Sequence, residues 1–204
     1  MFTIHRCGTV TLTAPRLLLR RLEPGDAVQM HANWASDPVV YRYMTSPIMP
    51  EVADVERFIA QKRIDYENPD TYYWGVFLRD TGEIIGMATL TEVLPRAKTA
   101  NLAYSIGRRW WGQGYAHEAA ETVLAFAFGR VGFRKIYGCH FEGNERSGYV
   151  LLACGMQFQG RSQTRVLHGG DYLHFDSYEI TAAEYAAHIR HAPVHRLKEE
   201  AASI

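Results

Sequence analysis

The stretch from Ala100 to Phe141 constrains this chain more than any other. It reads as a β-rich run, a turn holding Gly112 and Gly114, a helix with one apolar face, and a second β-rich run. Ala116, Ala119, Ala120, Val123, Leu124 and Ala127 recur at i, i+3, i+4 and i+7, so they line one buried stripe of a helix over Ala116 to Phe128. Gly132 breaks that helix, and Lys135 to Phe141 returns as a strand. Two strands enclosing a helix require a right-handed parallel crossover.

The remaining segments build around this unit. Arg16 to Leu22 is a short apolar strand, and the turn after it offers Asp26 as a cap for a helix through His31 and Trp34. A second helix is expected from about Pro50 to Asp65, where Val52, Val55, Phe58 and Ile59 repeat at helical spacing. Tyr72 to Leu78 and Glu83 to Leu90 flank the turn Arg79-Asp80-Thr81-Gly82 as an antiparallel pair. Asn144 opens a short helix that ends near Gly155. Gln157 to Leu167 and Tyr172 to Ile180 form a closing hairpin around His168-Gly169-Gly170-Asp171, and a charged, alanine-rich tail follows from Ala182. One domain over 1–204 is expected, with a core of about 14–181 and a tail over 182–204.

Lys plus Arg and Asp plus Glu both number 22, so no general basic field draws nucleic acid or an anionic membrane. The expected partner is a small molecule or a short peptide. No apolar run approaches the roughly 20 residues of a membrane span, and Met1 to Val10 lacks the apolar core of a signal peptide, so a cytoplasmic location is the expectation. Cys7, Cys139 and Cys154 show no metal-ligand spacing and read as reduced, mostly buried thiols.

The glycine turn carries the chemistry. Amides at a helix start lack intrahelical partners, and the macrodipole there favours negative charge. Gly112 and Gly114 let phosphate oxygens approach the backbone, Ala116 keeps the first turn narrow, and Arg108 and Arg109 add charge. The turn thus reads as a pyrophosphate cradle, although two glycines also make a tight turn with no ligand. A nucleoside-triphosphate loop is excluded, because Lys98-Thr99 precedes the glycines instead of following them. A dinucleotide site stays open but disfavoured, since His117 stands where a third glycine belongs.

Trp111-Gly112-Gln113-Gly114-Tyr115-Ala116 resembles the acyl-CoA motif Q/R-x-x-G-x-G/A of the GNAT acetyltransferase superfamily at every position but the first. "PRLLLRRLEPGDA", "WASDPVVYRYM", "GEIIGMATL" and "NERSGYVLLACGMQFQG" extend the resemblance to the RimJ/RimL-like branch, over roughly residues 14 to 181. The resemblance implies an α+β fold with a mostly antiparallel twisted sheet, flanking helices, and fourth and fifth strands that splay apart. It also implies acetyl-CoA as co-substrate and no metal, with a primary amine as acceptor and a possible homodimer. By the same resemblance Ile106 binds pantetheine through its backbone. Residues 111 to 116 (Trp111, Gly112, Gln113, Gly114, Tyr115 and Ala116) hold the pyrophosphate, and Asn144 lies beside the cofactor arm. Ser147 reprotonates the departing thiolate. Trp34, Tyr41 and Tyr43 fall in the region that shapes the acceptor pocket.

Two departures bear on catalysis. Leu151 stands where the superfamily more often has an acidic tyrosine, and Asn101 where many relatives carry a basic glutamate. Glu92 and Glu142 are then the acidic candidates for the base, with His140 third. Deprotonating a lysine amine at pH 7 costs about 4 to 5 kcal/mol, and an α-amino group only about 1. A weak base therefore favours a peptide N-terminus or another amine of low pKa. The same losses also admit a non-catalytic acyl-CoA-binding module. His117-Glu118-Ala119-Ala120-Glu121 is half of an H-E-x-x-H zinc helix, with Glu121 in place of the second histidine, and a zinc hydrolase is disfavoured. His188, His191 and His195 in the tail read as solvated.

Overall fold

A computed structural model describes residues 4–163, 166–168 and 171–191. In chain order its elements are β1 (Leu12–Thr13), β2 (Leu17–Arg20), α1 (Ala27–Met30), α2 (Pro38–Tyr41), α3 (Val52–Asp65), β3 (Tyr72–Leu78), β4 (Ile84–Leu94) and β5 (Thr99–Ile106). There follow α4 (Tyr115–Phe126), β6 (Lys135–Phe141), α5 (Glu145–Ala153), β7 (Gln157–Arg161), β8 (Val166–His168), β9 (Asp171–Leu173), β10 (Phe175–Thr181) and α6 (Ala182–His191). Eight strands make one sheet in the order β1-β2-β3-β4-β5-β6-β10-β7, antiparallel throughout except where β5 meets β6. The expected mixed fold, mostly antiparallel and flanked by helices, is the fold observed. The two-residue β1 was not anticipated, so the fourth and fifth expected strands are β5 and β6.

The sheet is covered on both faces, and β3 shows why. Its sequence is almost continuously apolar, and successive side chains point to opposite faces of a strand. Tyr72, Trp74, Val76 and Leu78 join the core beneath α4, together with Ala119, Ala120, Val123 and Leu124 from that helix. Phe77, with Tyr73 packed beside it, faces a second core holding Met30, Trp34, Val55 and Ile59 from the N-terminal helices. Trp74 is fully buried, and its indole N–H donates to the Val10 carbonyl at 2.7 Å, so burying the ring leaves no orphaned donor.

Several expectations need adjustment. Asp26 precedes α1, but its side chain makes no cap bond to that helix. The carboxylate instead accepts from Arg20 at 2.8 and 2.9 Å and from the Glu23 amide at 2.8 Å, because a bidentate guanidinium is the stronger partner. The second helix starts at Val52 behind a Glu51 capping box, two residues later than Pro50. The closing hairpin pairs β7 with β10, with β8 and β9 as a separate two-stranded extension. Its Gly169-Gly170 turn lies outside the described residues, as does the tail beyond His191. The cysteines are unbridged, but only Cys154 is buried, while Cys7 is half-buried and Cys139 exposed, so "mostly buried" was too broad.

Gly86 in β4 lies opposite Ile106 of β5, and a Cβ there would run into the Ser105 carbonyl and the Ile106 side chain. Gly86→Ala is expected to lower stability by about 3 kcal/mol in urea unfolding. Gly25→Ala, where a Cβ meets nothing within 4 Å, should change it by less than about 0.5 kcal/mol.

Candidate functional site

The parallel ladder of β5 and β6 contains three pairs, Thr99↔Lys135, Ala100↔Ile136 and Asn101↔Tyr137. Beyond them β5 stays with β4 as far as Ile106↔Gly86, and β6 stays with β10 as far as Phe141↔Phe175. A wedge opens between the strands. The Gly107 amide donates to the Ile85 carbonyl at 2.8 Å, so by antiparallel alternation the backbone groups of Ile106, Tyr104 and Leu102 point into the wedge. The wedge belongs to an open cleft of about 2150 Å³ that crosses the molecule.

At the end of β5 the chain turns through Gly112 (φ 75°) and Gly114 (φ 82°), both in the left-handed region where a Cβ is strained. Gly114 is the N-cap of α4 and has no side chain to cap it, so the helix opens on the amides of Tyr115 and Ala116. Arg16 braces this turn. Its Nε reaches Glu118 Oε2 at 2.6 Å, its backbone amide reaches Glu118 Oε1 at 2.7 Å, and its NH1 donates to the Gln113 carbonyl at 2.9 Å. The guanidinium also lies 4.4 Å over the Tyr115 ring. Arg108 and Arg109 are each engaged by a carboxylate, Asp37 at 2.6 Å and Glu83 at 3.2 Å. Arg146 sits 5.8 Å from the Trp111 ring and lines the cleft beside it.

Most of the predicted site residues meet in one place. Ile106, Trp111, Gly112, Gly114, Tyr115, Ala116, Asn144, Ser147, Glu92, Trp34, Tyr41 and Tyr43 all line the cleft. Two do not. Gln113 turns its side chain back to the Arg109 carbonyl at 3.0 Å, and Glu142 lies 3.6 Å from Arg161. Trp34 is 1% exposed, so it is mostly core. Tyr41 is buried, and burial pushes its hydroxyl up to about 12. Trp111 donates its indole N–H to the Ile106 carbonyl at 2.6 Å, which ties the turn back to the open edge of β5. Trp110 is core.

Ser147 has a partner that sequence reasoning missed. Tyr104 donates its hydroxyl to the Ser147 carbonyl at 2.8 Å, and Ser147 Oγ lies 3.1 Å from the same phenol oxygen. Burial pushes the Tyr104 hydroxyl well above the ordinary phenol value, with the Ser147 contact opposing, so it stays protonated near neutral pH. Leu151, by contrast, is buried core against Gly138, and no hydroxyl chemistry falls there. Glu92 occupies a bulge between Thr91 and Leu94 with φ 48°, and its Oε2 accepts from Asn101 Nδ2 at 2.6 Å. A carboxylate thus reaches Asn101 from the neighbouring strand. His140 is buried, with Nε2 3.1 Å from the Tyr178 hydroxyl and Nδ1 2.9 Å from the Phe141 carbonyl.

An unpaired strand edge, left-handed glycines and an uncapped helix start suit a long ligand with an amide-bearing arm and a phosphorylated end. Comparison with known proteins identifies the family. Residues 16–157 match the model of the acetyltransferase (GNAT) domain. The chain is 27% identical to an uncharacterized N-acetyltransferase, YoaA, of Bacillus subtilis, over 83% of this chain and 95% of that protein. It is also 27% identical to the ribosomal protein uS5-alanine N-acetyltransferase of Escherichia coli, over 80% of this chain and 86% of that one. A ribosomal-protein-S5-alanine acetyltransferase structure from Vibrio fischeri shares the fold at a TM-score of 0.75 and 15% identity, covering 86% of this chain and 98% of that one.

Replacing Arg16 with Met removes the brace on the glycine turn. Amide hydrogen exchange over residues 112–118 is expected to quicken about two- to fivefold, equivalent to ~0.5–1 kcal/mol for a part-exposed ion pair, with β3 unaffected.

Proposed function

Because this chain belongs to the acetyltransferase (GNAT) family, we propose that it acetylates a primary amine by direct attack, the amine being a protein or peptide N-terminus or a small molecule of low amine pKa. The observation that carries this reading is the wedge between β5 and β6, which ends on the uncapped start of α4. Acetyl-CoA, when bound, supplies an activated acetyl carbonyl and a thiolate leaving group.

The backbone of Tyr104 and Ile106 offers strand-like hydrogen bonds to the pantetheine arm, and the amides at 112 to 116 receive the pyrophosphate. Asn144 borders the arm from the start of α5. Trp111 braces the turn from Ile106, and the backbone amides of the turn receive the phosphates. Ser147 holds a proton at Oγ on the cleft wall for the leaving sulfur, and the buried phenol of Tyr104, bonded to the Ser147 carbonyl and 3.1 Å from Oγ, positions that serine. Glu92 takes the amine's proton, directly or through water, and Asn101 orients its carboxylate. Glu142, engaged with Arg161 off the cleft, is the weaker candidate for that role. Tyr41 and Tyr43 wall the acceptor side, with Trp34 packed behind them.

Two variants test the assignment. A carboxylate at Gly114 enters a left-handed position beside the phosphates, so Gly114→Asp should weaken CoA binding at least about 100-fold by calorimetry. Ser147→Ala should keep CoA affinity and slow thiol release about 10- to 100-fold. Near-normal CoA affinity in the glycine variant overturns the site. Tight CoA binding with no turnover on N-terminal peptides, polyamines or aminoglycoside-like amines would favour a sensor instead.

The acceptor class can be read from pH. With an α-amine near 7.7 to 8.0, kcat/KM should rise about tenfold per unit from pH 5.5 and level near pH 8, whereas a lysine amine near 10.4 would keep it climbing past pH 9. Peptide N-termini are expected to outperform lysine side chains at pH 7. Equal rates on both overturn the low-pKa preference.

A further inference from the structure

On the side of α4 turned toward α5 and α6, beside the cleft that His117 also lines, three metal-binding side chains converge and a fourth, His188, approaches one of them. Ligand atoms of His117 and Glu121 on α4, and of Cys154 at the end of α5, all lie within 4.8 Å of one another. His117 Nε2 is 3.7 Å from Glu121 Oε1, and His188 Nε2 on α6 approaches the same oxygen to 3.5 Å. Two donors bound tetrahedrally at about 2.0–2.3 Å from one zinc ion lie about 3.3–3.8 Å apart, so these separations suit a shared ion better than direct hydrogen bonds. Glu121 Oε1 is buried and has no hydrogen-bond partner, an unfavourable state for a polar oxygen and more so for a charged one. Cys154 is fully buried, and His188 folds over the end of α5 at Gly155, where a Cβ would meet its Cγ at 2.6 Å.

We infer that His117, Glu121, Cys154 and His188 form a closed divalent-metal site, with Zn²⁺ the ion its donors favour. One thiolate, two imidazoles and one carboxylate match the borderline-soft preference of zinc, and the two anionic donors neutralise its charge. Four protein ligands leave no position for substrate water, so the ion serves as a clasp and not as a catalyst. It fastens α6 to α4 and α5, directly behind the helix whose first turn faces the cleft. His117 Nε2, now 3.3 Å from the Ala153 carbonyl, exchanges that contact for the metal. Binding releases the Cys154 thiol proton to solvent.

The test uses full-length, tag-free protein, stripped with chelator and returned to zinc or cobalt. About one ion per chain is expected by elemental analysis, together with a rise in Tm. Co²⁺ should give the intense visible bands of a tetrahedral site and a thiolate charge-transfer band. His188→Ala, at the rim of the cluster, should weaken zinc binding at least about tenfold, and Cys154→Ser should abolish the charge-transfer band. His31→Ala, whose ring contacts the Pro50 carbonyl elsewhere, should bind as the unaltered protein does. Zinc well below one per chain after reloading, or His188→Ala binding unchanged, overturns the site. Should Cys154→Ser not fold, the cobalt spectrum of the unaltered protein and the His188→Ala titration decide between these outcomes.

Discussion

The ending of the parallel ladder between β5 and β6 is the constraint on which the rest of the site depends. Each strand has two possible neighbours, and each keeps its antiparallel one. β6 holds seven consecutive pairs with β10, and β5 follows β4 to the last residue, Ile106. Parallel pairing is slightly weaker per residue, so the parallel contact is the one that yields. Leu151 of α5 fills the space over Gly138, where a Cβ would meet its Cδ2 at 2.9 Å, and this seats the helix beside the gap. The gap is therefore held open by packing on both sides.

One strained residue stands beside that gap. Glu92 has φ 48° and lines the cleft. A non-glycine residue holds that conformation only where the surrounding structure over-determines it. The antiparallel ladders and the two apolar cores supply that rigidity, since β3 buries residues on both faces and anchors helices above and below the sheet. At Glu92 the bulge turns the carboxylate onto Asn101 of the adjacent strand.

How much was legible in the sequence followed from how local each signal is. The stripe from Ala116 to Ala127, the glycine turn and the β3-β4 pair depend on residues close in sequence, and they appeared in the structure close to where they were expected, although β4 runs four residues past Leu90. The divergence of β5 from β6 is a competition between distant partners and was visible only through family resemblance. Tyr104 read as one more strand residue, since its partner Ser147 is 43 positions away. Arg16 sat beside an apolar strand with nothing to tie it to Glu118, 102 positions on. Asp26 misled because capping propensity is a local preference and the nearby Arg20 offered more.

The helix α4 gathers these threads, because its faces answer to different parts of the fold. Successive residues are about 100° apart around a helix, and residues four apart are only about 40° apart. Ala119, Ala120, Val123 and Leu124 therefore share the core face, while Glu118 turns to Arg16 and the glycine turn. His117 and Glu121 fall together on a third side, toward α5 and α6. Read along the chain, His117-Glu118-Ala119-Ala120-Glu121 is an incomplete zinc-hydrolase helix. Read around the helix, it divides into a brace for the turn and a pair of donors whose complement lies in Cys154 and His188. A linear motif places its partners along one helix, whereas here the neighbouring donors come from three segments.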